Sequence, residues 1–502
     1  MMKKLIYLSI LFVSLFNTKA QVPAIVWQKC YGGTNSENAN CIEKTTDGGY
    51  IVAGYTNTSA DGDVTNNRGG YDYWVLKINA AGGIEWQKTY GGSFDDQANS
   101  IQQTSDGGYI VAGVSNSTNG DITNFRGDKD FWVLKLSSTG TIEWQKKYGG
   151  DDKETAYSIK QTSDGGYIVA GNSYSYDGVL MPVNGDVTNF NGFIDGWIVK
   201  LTNTGAIEWQ KCLGGIQTEN FFDIQQTTDG GYIATGDYGG YWLVKLNSNG
   251  NVEWQYSYND TDTAFSVRQT FDGGYIMVGD VVSRIGNSTG HNFGVIKVDS
   301  FGIKEWEKSY GGDGFFDIAK DIEQTAEGGY VITGVTNSSY SGNVTGPNNG
   351  QQDIWAIKIS STGVLQWQRC FGGSSYDGAN SICITPDGGY ILAGFAQSNN
   401  GNVSGNHGGT DMWLLQLAPD SLGTSNEFKS NESFPFSPNP ANDRIVFSQE
   451  MSSVSVFDLS GRLILNSNVN IKEMDISKLR KGNYILKIQT SKGEFNTKLI
   501  KE

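Results

Sequence analysis

QTSDGGYIVAG, residues 103–113, recurs letter for letter at residues 161–171. The two copies are part of a longer series. The turn Asp-Gly-Gly-Tyr begins at Asp47, Asp106, Asp164, Asp229, Asp272 and Asp387, and as EGGY at Glu327, with spacings of 43 to 65 residues. Outward from the turn, a tryptophan in EWQK-like segments appears at Trp27, Trp86, Trp144, Trp209, Trp254, Trp306 and Trp367. A WVLKL-like run starts at Trp74, Trp132, Trp197, Trp242, Trp355 and Trp413, with GVIKV at Gly294 as its seventh copy. Three markers therefore agree on seven units, and a repeat of this length means one supersecondary unit stacked to make a shared core.

Each unit holds four strand-like pieces, as in ANSIQQT, YIVAG, FWVLKL and TIEWQKKYG, rich in β-branched and aromatic residues and bounded by Gly, Asn, Asp or Ser. The Asp-Gly-Gly between the first two pieces supplies the positive φ of a tight hairpin. Four strands per unit make a blade, so the fold class is all-β and the expectation a seven-bladed β-propeller over residues 21–417. The last unit stops after its third strand, MWLLQL (residues 412–417), while an outer-type strand, IVWQKCYGG (residues 25–33), precedes the first. The N-terminal strand is therefore expected to complete the last blade. The repeats resemble those of secreted bacterial propellers, with third and fourth strands similar to quinoprotein-type blades; this implies fold and no particular chemistry.

Residues 1–20 pair Lys3 and Lys4 with an apolar run and a small-residue site ending at Ala20, the pattern of a secretory signal peptide. Its apolar run is too short to span a bilayer, and no transmembrane segment is expected elsewhere. The five cysteines, Cys30, Cys41, Cys212, Cys370 and Cys383, are odd in number and lack metal-site spacing, so they read as strand residues. A formal charge of −16 argues against a nucleic-acid partner.

The repeat ends at Leu417, and residues 418–433 read as a polar linker. Residues 434–502 carry 10 basic and 7 acidic residues, against the acidic balance of the rest. Their segments FSPNPANDRIVF, VSVFDLSGRLIL, MDISKLRKGNYILKI and the ending TKLIKE resemble the type A C-terminal sorting domain of the Bacteroidetes type IX secretion system. The alternating strands predict a small Ig-like β-sandwich. The resemblance implies the type IX machinery as partner and a secreted or outer-membrane surface location; a carbohydrate-binding or adhesive module is the other reading of this tail.

Candidate sites come from the long second-to-third strand connections, which mark the more variable face. Five share the pattern Gly-Asp/Asn-Val/Ile-Thr/Ser followed by an aspartate before the tryptophan: Asp63 with Asp72, Asp121 with Asp130, Asp186 with Asp195, Asn343 with Asp353, and Asn402 with Asp411. Such oxygens suit calcium, the one cofactor suggested, or brace the loop. Blade four is shortened to GDYGGYW, residues 236–242, which predicts a low point in the rim. An acid before each first strand (Glu37, Asp96, Glu154, Glu219, Asp262, Asp317, Asp377) reads either as a ring at the channel mouth or as a cap of its own turn. His291 and His407 are the only histidines, and no nucleophile or metalloprotease motif is present. A non-catalytic binding module for glycan or protein is the leading function, and a polysaccharide-degrading glycosidase or lyase the alternative.

Overall fold

The computed structural model describes residues 22–123, 127–174, 185–188, 192–259, 262–285, 288–314, 316–420, 436–457, 463–467, 471–490 and 493–501. The leader and most of the expected linker lie outside them. The described chain falls into two compact units, one of them Val22–Asp420 and the other holding the C-terminal sheets.

The first unit consists of seven four-stranded antiparallel sheets. The chain enters with β1 (Ile25–Tyr31), then lays down blade one as β2 (Glu37–Lys44), β3 (Tyr50–Thr56), β4 (Asp72–Ile78) and β5 (Ile84–Tyr90). Five more sheets repeat this order, and the seventh is made of strands Asp377–Ile384, Tyr390–Ala396 and Asp411–Leu417 with β1 on its outer edge. β1 runs antiparallel to the last strand, from Ile25 opposite Leu417 to Tyr31 opposite Met412. The ring thus closes between chain start and repeat end, as a β-propeller does.

Local chemistry explains the hairpin between β2 and β3. Gly48 has φ +85°, and a Cβ on Gly49 would stand 2.3 Å from the Ile78 carbonyl oxygen, so both positions require glycine. Asp47 accepts from the Gly49 amide at 3.0 Å and pairs with the buried Lys77 at 2.9 Å, which also reaches Glu85 at 2.8 Å. One lysine therefore ties the inner turn to the outer strand. Blade six lacks the outer glutamate, and its Lys358 turns instead to Glu327 and Asp420. Asp420 also accepts from the Trp367 indole and the Tyr390 hydroxyl, both at 2.8 Å. Residues 418–420, expected as linker, thus belong to the ring, because Asp420 supplies the carboxylate that the repeat omits at Gln366.

Between blades the packing is apolar. Blades seven and one share a core of Tyr31, Ile42, Val52, Trp74, Leu76, Ile391, Met412 and Leu414, all nearly inaccessible to solvent. Equivalent cores join blades one and two around Trp132 and two and three around Trp197. Tyrosines of the outer strands latch neighbours: the Tyr31 hydroxyl donates to the Gly82 carbonyl at 2.7 Å and that of Tyr90 to Gly140 at 2.6 Å.

The C-terminal unit contains a three-stranded sheet (Phe436–Ser437, Arg444–Met451, Ile471–Asp475) and a four-stranded sheet (Leu463–Ser467, Ser453–Phe457, Gly482–Thr490, Gly493–Lys501). Ile445 and Phe447 of the first share one core with Val454, Val456, Leu486 and Ile488 of the second. In the segment VSVFDLSGRLIL, where Ser460 and Gly461 read as a turn, those two residues lie outside the described ones.

Candidate functional site

The loop aspartates do not meet as the sequence pairs them. Asp63 accepts from the Gly32 amide at 3.2 Å, at the junction of blades seven and one. Asp72 instead lies over Gly91, where a Cβ would be 2.1 Å from Asp72 Oδ1 and 2.7 Å from Asp96 Oδ2. Gly91 N donates to Asp121 Oδ2 at 3.2 Å and Gly92 N to Asp96 Oδ2 at 2.8 Å. Three acids from two blades thus gather on one diglycine. The same plan places Asp130, Glu154 and Asp186 at Gly149, and Asp411, Glu37 and Asp63 at Gly32. Asp195 meets Glu219 at Gly214; Asp353 meets Asp377 and Asn402 at Gly372.

Most first-strand acids stand at these same junctions. Glu37, Asp96, Glu154, Glu219, Asp262, Asp317 and Asp377 are all buried. Most accept from a diglycine amide and from hydroxyls of the next loop, as Asp317 does from Gly312, Thr336 and Ser338. They cap blade junctions because a desolvated carboxylate is held only by several donors.

Basic side chains stand where three acids meet. Arg68 pairs with Asp121, Lys147 with Asp130 at 3.3 Å, and His407 Nδ1 contacts Asp411 Oδ2 at 2.7 Å. Burial, reinforced by the charge of Asp96, raises Asp72 to about 7 although the Arg68 amide opposes it. Burial likewise raises Glu154 to about 8 and Asp353 to about 6, with Asp130 and Asp377 respectively adding repulsion. Asp72 Oδ1 and Asp353 Oδ1 have no hydrogen-bond partner, which fits carboxyls that hold a proton. Among the described residues no group of three His, Cys, Asp or Glu side chains is placed to hold a metal ion. The two acids of each loop serve successive junctions, so no loop brings its own pair to one point.

His291 is not near His407: its Nδ1 lies 2.6 Å from Asp280 Oδ1 and its ring stacks on Phe316. The cysteines are free, and burial raises the Cys30 thiol to about 12.

The central channel holds residues that sequence reasoning missed. Arg268 reaches Asp223 and Asp321 at 2.8 Å and Glu323 at 3.0 Å, and Lys160 reaches Glu43 at 2.6 Å. These cross-links leave a cavity of about 110 Å³, below the range of ligand pockets, about 300–1,000 Å³. No motif marks them, since the charges fall on two inner-strand positions that vary among blades: Asp223 and Asp321 where other copies have Ser or Cys, and Glu43, Lys160, Arg268 and Glu323 where others have Gln or Cys.

Larger clefts open on the rim. One of about 500 Å³ lies between blades six and seven beside Thr345, Gln368, Arg369 and Asn402. The other, about 400 Å³, is lined by Cys212, Leu213, Gly214, Tyr238, Trp242, Gln255, Tyr256 and Ser257. It sits at the shortened loop of blade four, where the sequence predicts a low rim. Tyr238 is 45% exposed and lies 5.4 Å, centroid to centroid, from the buried Trp242.

Residues 436–502 match the family described as Secretion system C-terminal sorting domain. The regulatory protein FlaEY of Caulobacter vibrioides is 27% identical over 144 residues, which are 28% of this chain and 15% of FlaEY. The chain thus matches a small part of that relative's length. A Bacteroides caccae protein of unknown function is similar at 14% identity, covering 62% of this chain and 96% of its own, with a TM-score of 0.37. For Moraxella catarrhalis BamB the values are 11%, 95%, 99% and 0.35, and for the Neurospora crassa Pan2 WD40 domain 9%, 80%, 96% and 0.47. The chain is a β-propeller followed by a type IX sorting tail, which indicates a secreted or cell-surface protein.

Proposed function

We propose that this chain is a non-catalytic extracellular binding protein, with glycan or protein as its ligand and the loop face around blade four as its docking surface. The observation that carries this reading is the cleft of about 400 Å³ beside Tyr238. Aromatic walls with a few placed polar groups are the usual make-up of a ligand pocket. The carboxylate pairs gathered at the blade junctions favour binding over glycoside hydrolysis, since Asp72, Asp96, Asp353 and Asp377 are inaccessible to a substrate.

In the same proposal residues 1–20 are removed after Ala20, residues 21–420 form the binding ring, 421–433 tether it, and 434–502 are an Ig-like domain that engages the type IX machinery. No helix among the described residues is long and apolar enough to cross a membrane. The test is to incubate purified mature protein with bacterial and plant polysaccharides and with surface proteins. Retention without release of reducing ends is expected; release of reducing ends favours the polysaccharide-degrading alternative.

A further inference from the structure

One glutamine of the outer strand has the same task in five blades. Its Oε1 accepts from the indole of the buried tryptophan, and its Nε2 donates to a hydroxyl of the long loop. In blade one the Trp74 indole donates to Gln87 at 2.8 Å and Gln87 donates to Thr65 at 2.7 Å. Gln145, Gln210 and Gln368 repeat this with Thr123, Thr188 and Thr345, and Gln28 with Ser404. The Thr or Ser is the fourth residue of the Gly-Asp/Asn-Val/Ile-Thr/Ser pattern, so the pattern is a latch closing each loop onto its outer strand.

Blade four keeps the glutamine and loses the latch. The Trp242 indole donates to Gln255 Oε1 at 3.2 Å, but residues 236–242 contain no threonine or serine and do not extend over the strand. Gln255 is exposed where its counterparts are half-buried, and its Nε2 has no partner among the described residues. The cleft occupies the place of the missing loop. At the cleft between blades six and seven the corresponding amide, Gln368, is already taken by Thr345, so of these two clefts the one at blade four offers this group.

We propose that the blade-four cleft is a saccharide site in which a ring hydroxyl of a neutral glycan takes the position that a loop hydroxyl holds in five sister blades. The inference rests on the binding reading above and names its ligand class. Three features converge on it. The amide donor is held in place by Trp242 and lacks only the hydroxyl acceptor that its sisters have. Tyr238 stands beside it with an exposed ring, and the C–H face of a pyranose packs on such a ring while its hydroxyls point to the polar rim. No lining residue carries a charge, which leaves an anionic ligand without a counter-ion and a neutral polyol without a desolvation cost for ionic groups.

The test uses mature full-length protein and isothermal titration with four hexasaccharides: cellohexaose, maltohexaose, mannohexaose and, as the anionic probe, hexagalacturonate. Binding of a neutral hexasaccharide is expected, with at least a tenfold loss in Gln255→Leu and in Tyr238→Ala. Gln255→Leu should lower the melting temperature no more than Gln145→Leu, which removes the same kind of indole bond together with a closed latch, so its loss of affinity is not a loss of fold. Gln145→Leu, which breaks a closed latch, should leave affinity unchanged. Equal affinity in wild type, Gln255→Leu and Tyr238→Ala overturns the site, and preference for hexagalacturonate overturns the ligand class. Capture of a surface protein with no saccharide binding overturns this inference while sparing the binding reading. Hydrolysis of the hexasaccharides overturns both.

Discussion

Removal of residues 21–33 tests the closure of the ring. This segment contributes β1, which pairs with the last strand at six positions and places Tyr31, 3% exposed, in the core between blades seven and one. Trp27 packs on the same core and its indole donates to the Ala80 carbonyl at 3.2 Å. Burial of a large side chain is worth about 1.5–3 kcal/mol, so Tyr31 and Trp27 together represent about 3–5 kcal/mol. The Tyr31 hydroxyl bond and the ladder add about 0.5–1.5 kcal/mol per bond. The total, on the order of 8 kcal/mol, is comparable to the whole stability of a typical domain, about 5–15 kcal/mol. The truncated protein is expected to melt more than about 10 °C below the intact one by scanning calorimetry. A synthetic peptide of residues 21–33 added in trans should restore part of the loss, and Tyr31→Phe should cost only about 1 kcal/mol. A truncated protein melting within about 2 °C of wild type, well inside the shift that such a loss implies, would refute the closure argument.

Further outcomes follow from the blade junctions and the tail. Gly372→Ala should destabilise the ring by about 2 kcal/mol or more because carboxylate oxygens occupy the Cβ position; adding Asp353→Gly should recover much of the loss, and strictly additive effects in calorimetry would refute the shared site. Asp72, Glu154 and Asp353 keep protons in the fold that the unfolded chain releases near pH 4. Their contribution is therefore full below about pH 4 and lost as pH rises through about 6 to 8. The turn aspartates act in the opposite sense: burial disfavours their charge, but the Thr45 hydroxyl, Gly49 amide and Lys77 outweigh it and hold Asp47 at about 2. Melting temperature should thus peak at about pH 4–5 and fall on both sides, and a monotonic rise to pH 8 contradicts the paired-acid reading. Chelation with EDTA followed by millimolar calcium should leave the melting temperature unchanged, since loop acids already bind amides, lysine, arginine and histidine; a calcium-dependent rise restores the metal reading. Deleting residues 434–502 should leave a folded ring retained in the periplasm of a type IX host, and truncated protein in the medium argues against the sorting role.

Residues 103–113 and their copies were enough to read strands, turns, unit number and the mode of closure, because each depends on local chemistry. Alternation sets a strand, Gly48 and its counterparts satisfy a positive φ, and the missing fourth strand of the last unit is visible as a surplus strand at the start. The tail was legible for a related reason: its segments stand in order along one short stretch. Side-chain partnerships between blades were not legible. Asp72 is nine residues from Asp63 and meets Asp96 instead, and Gln255 is set apart from Gln87 only by the absence of a loop on another strand. Seven copies of one line determine the blade. Which acid faces which, and which amide is left open, is decided only when neighbouring copies pack, since carboxylates and amides find their partners across the blade interface rather than along the chain.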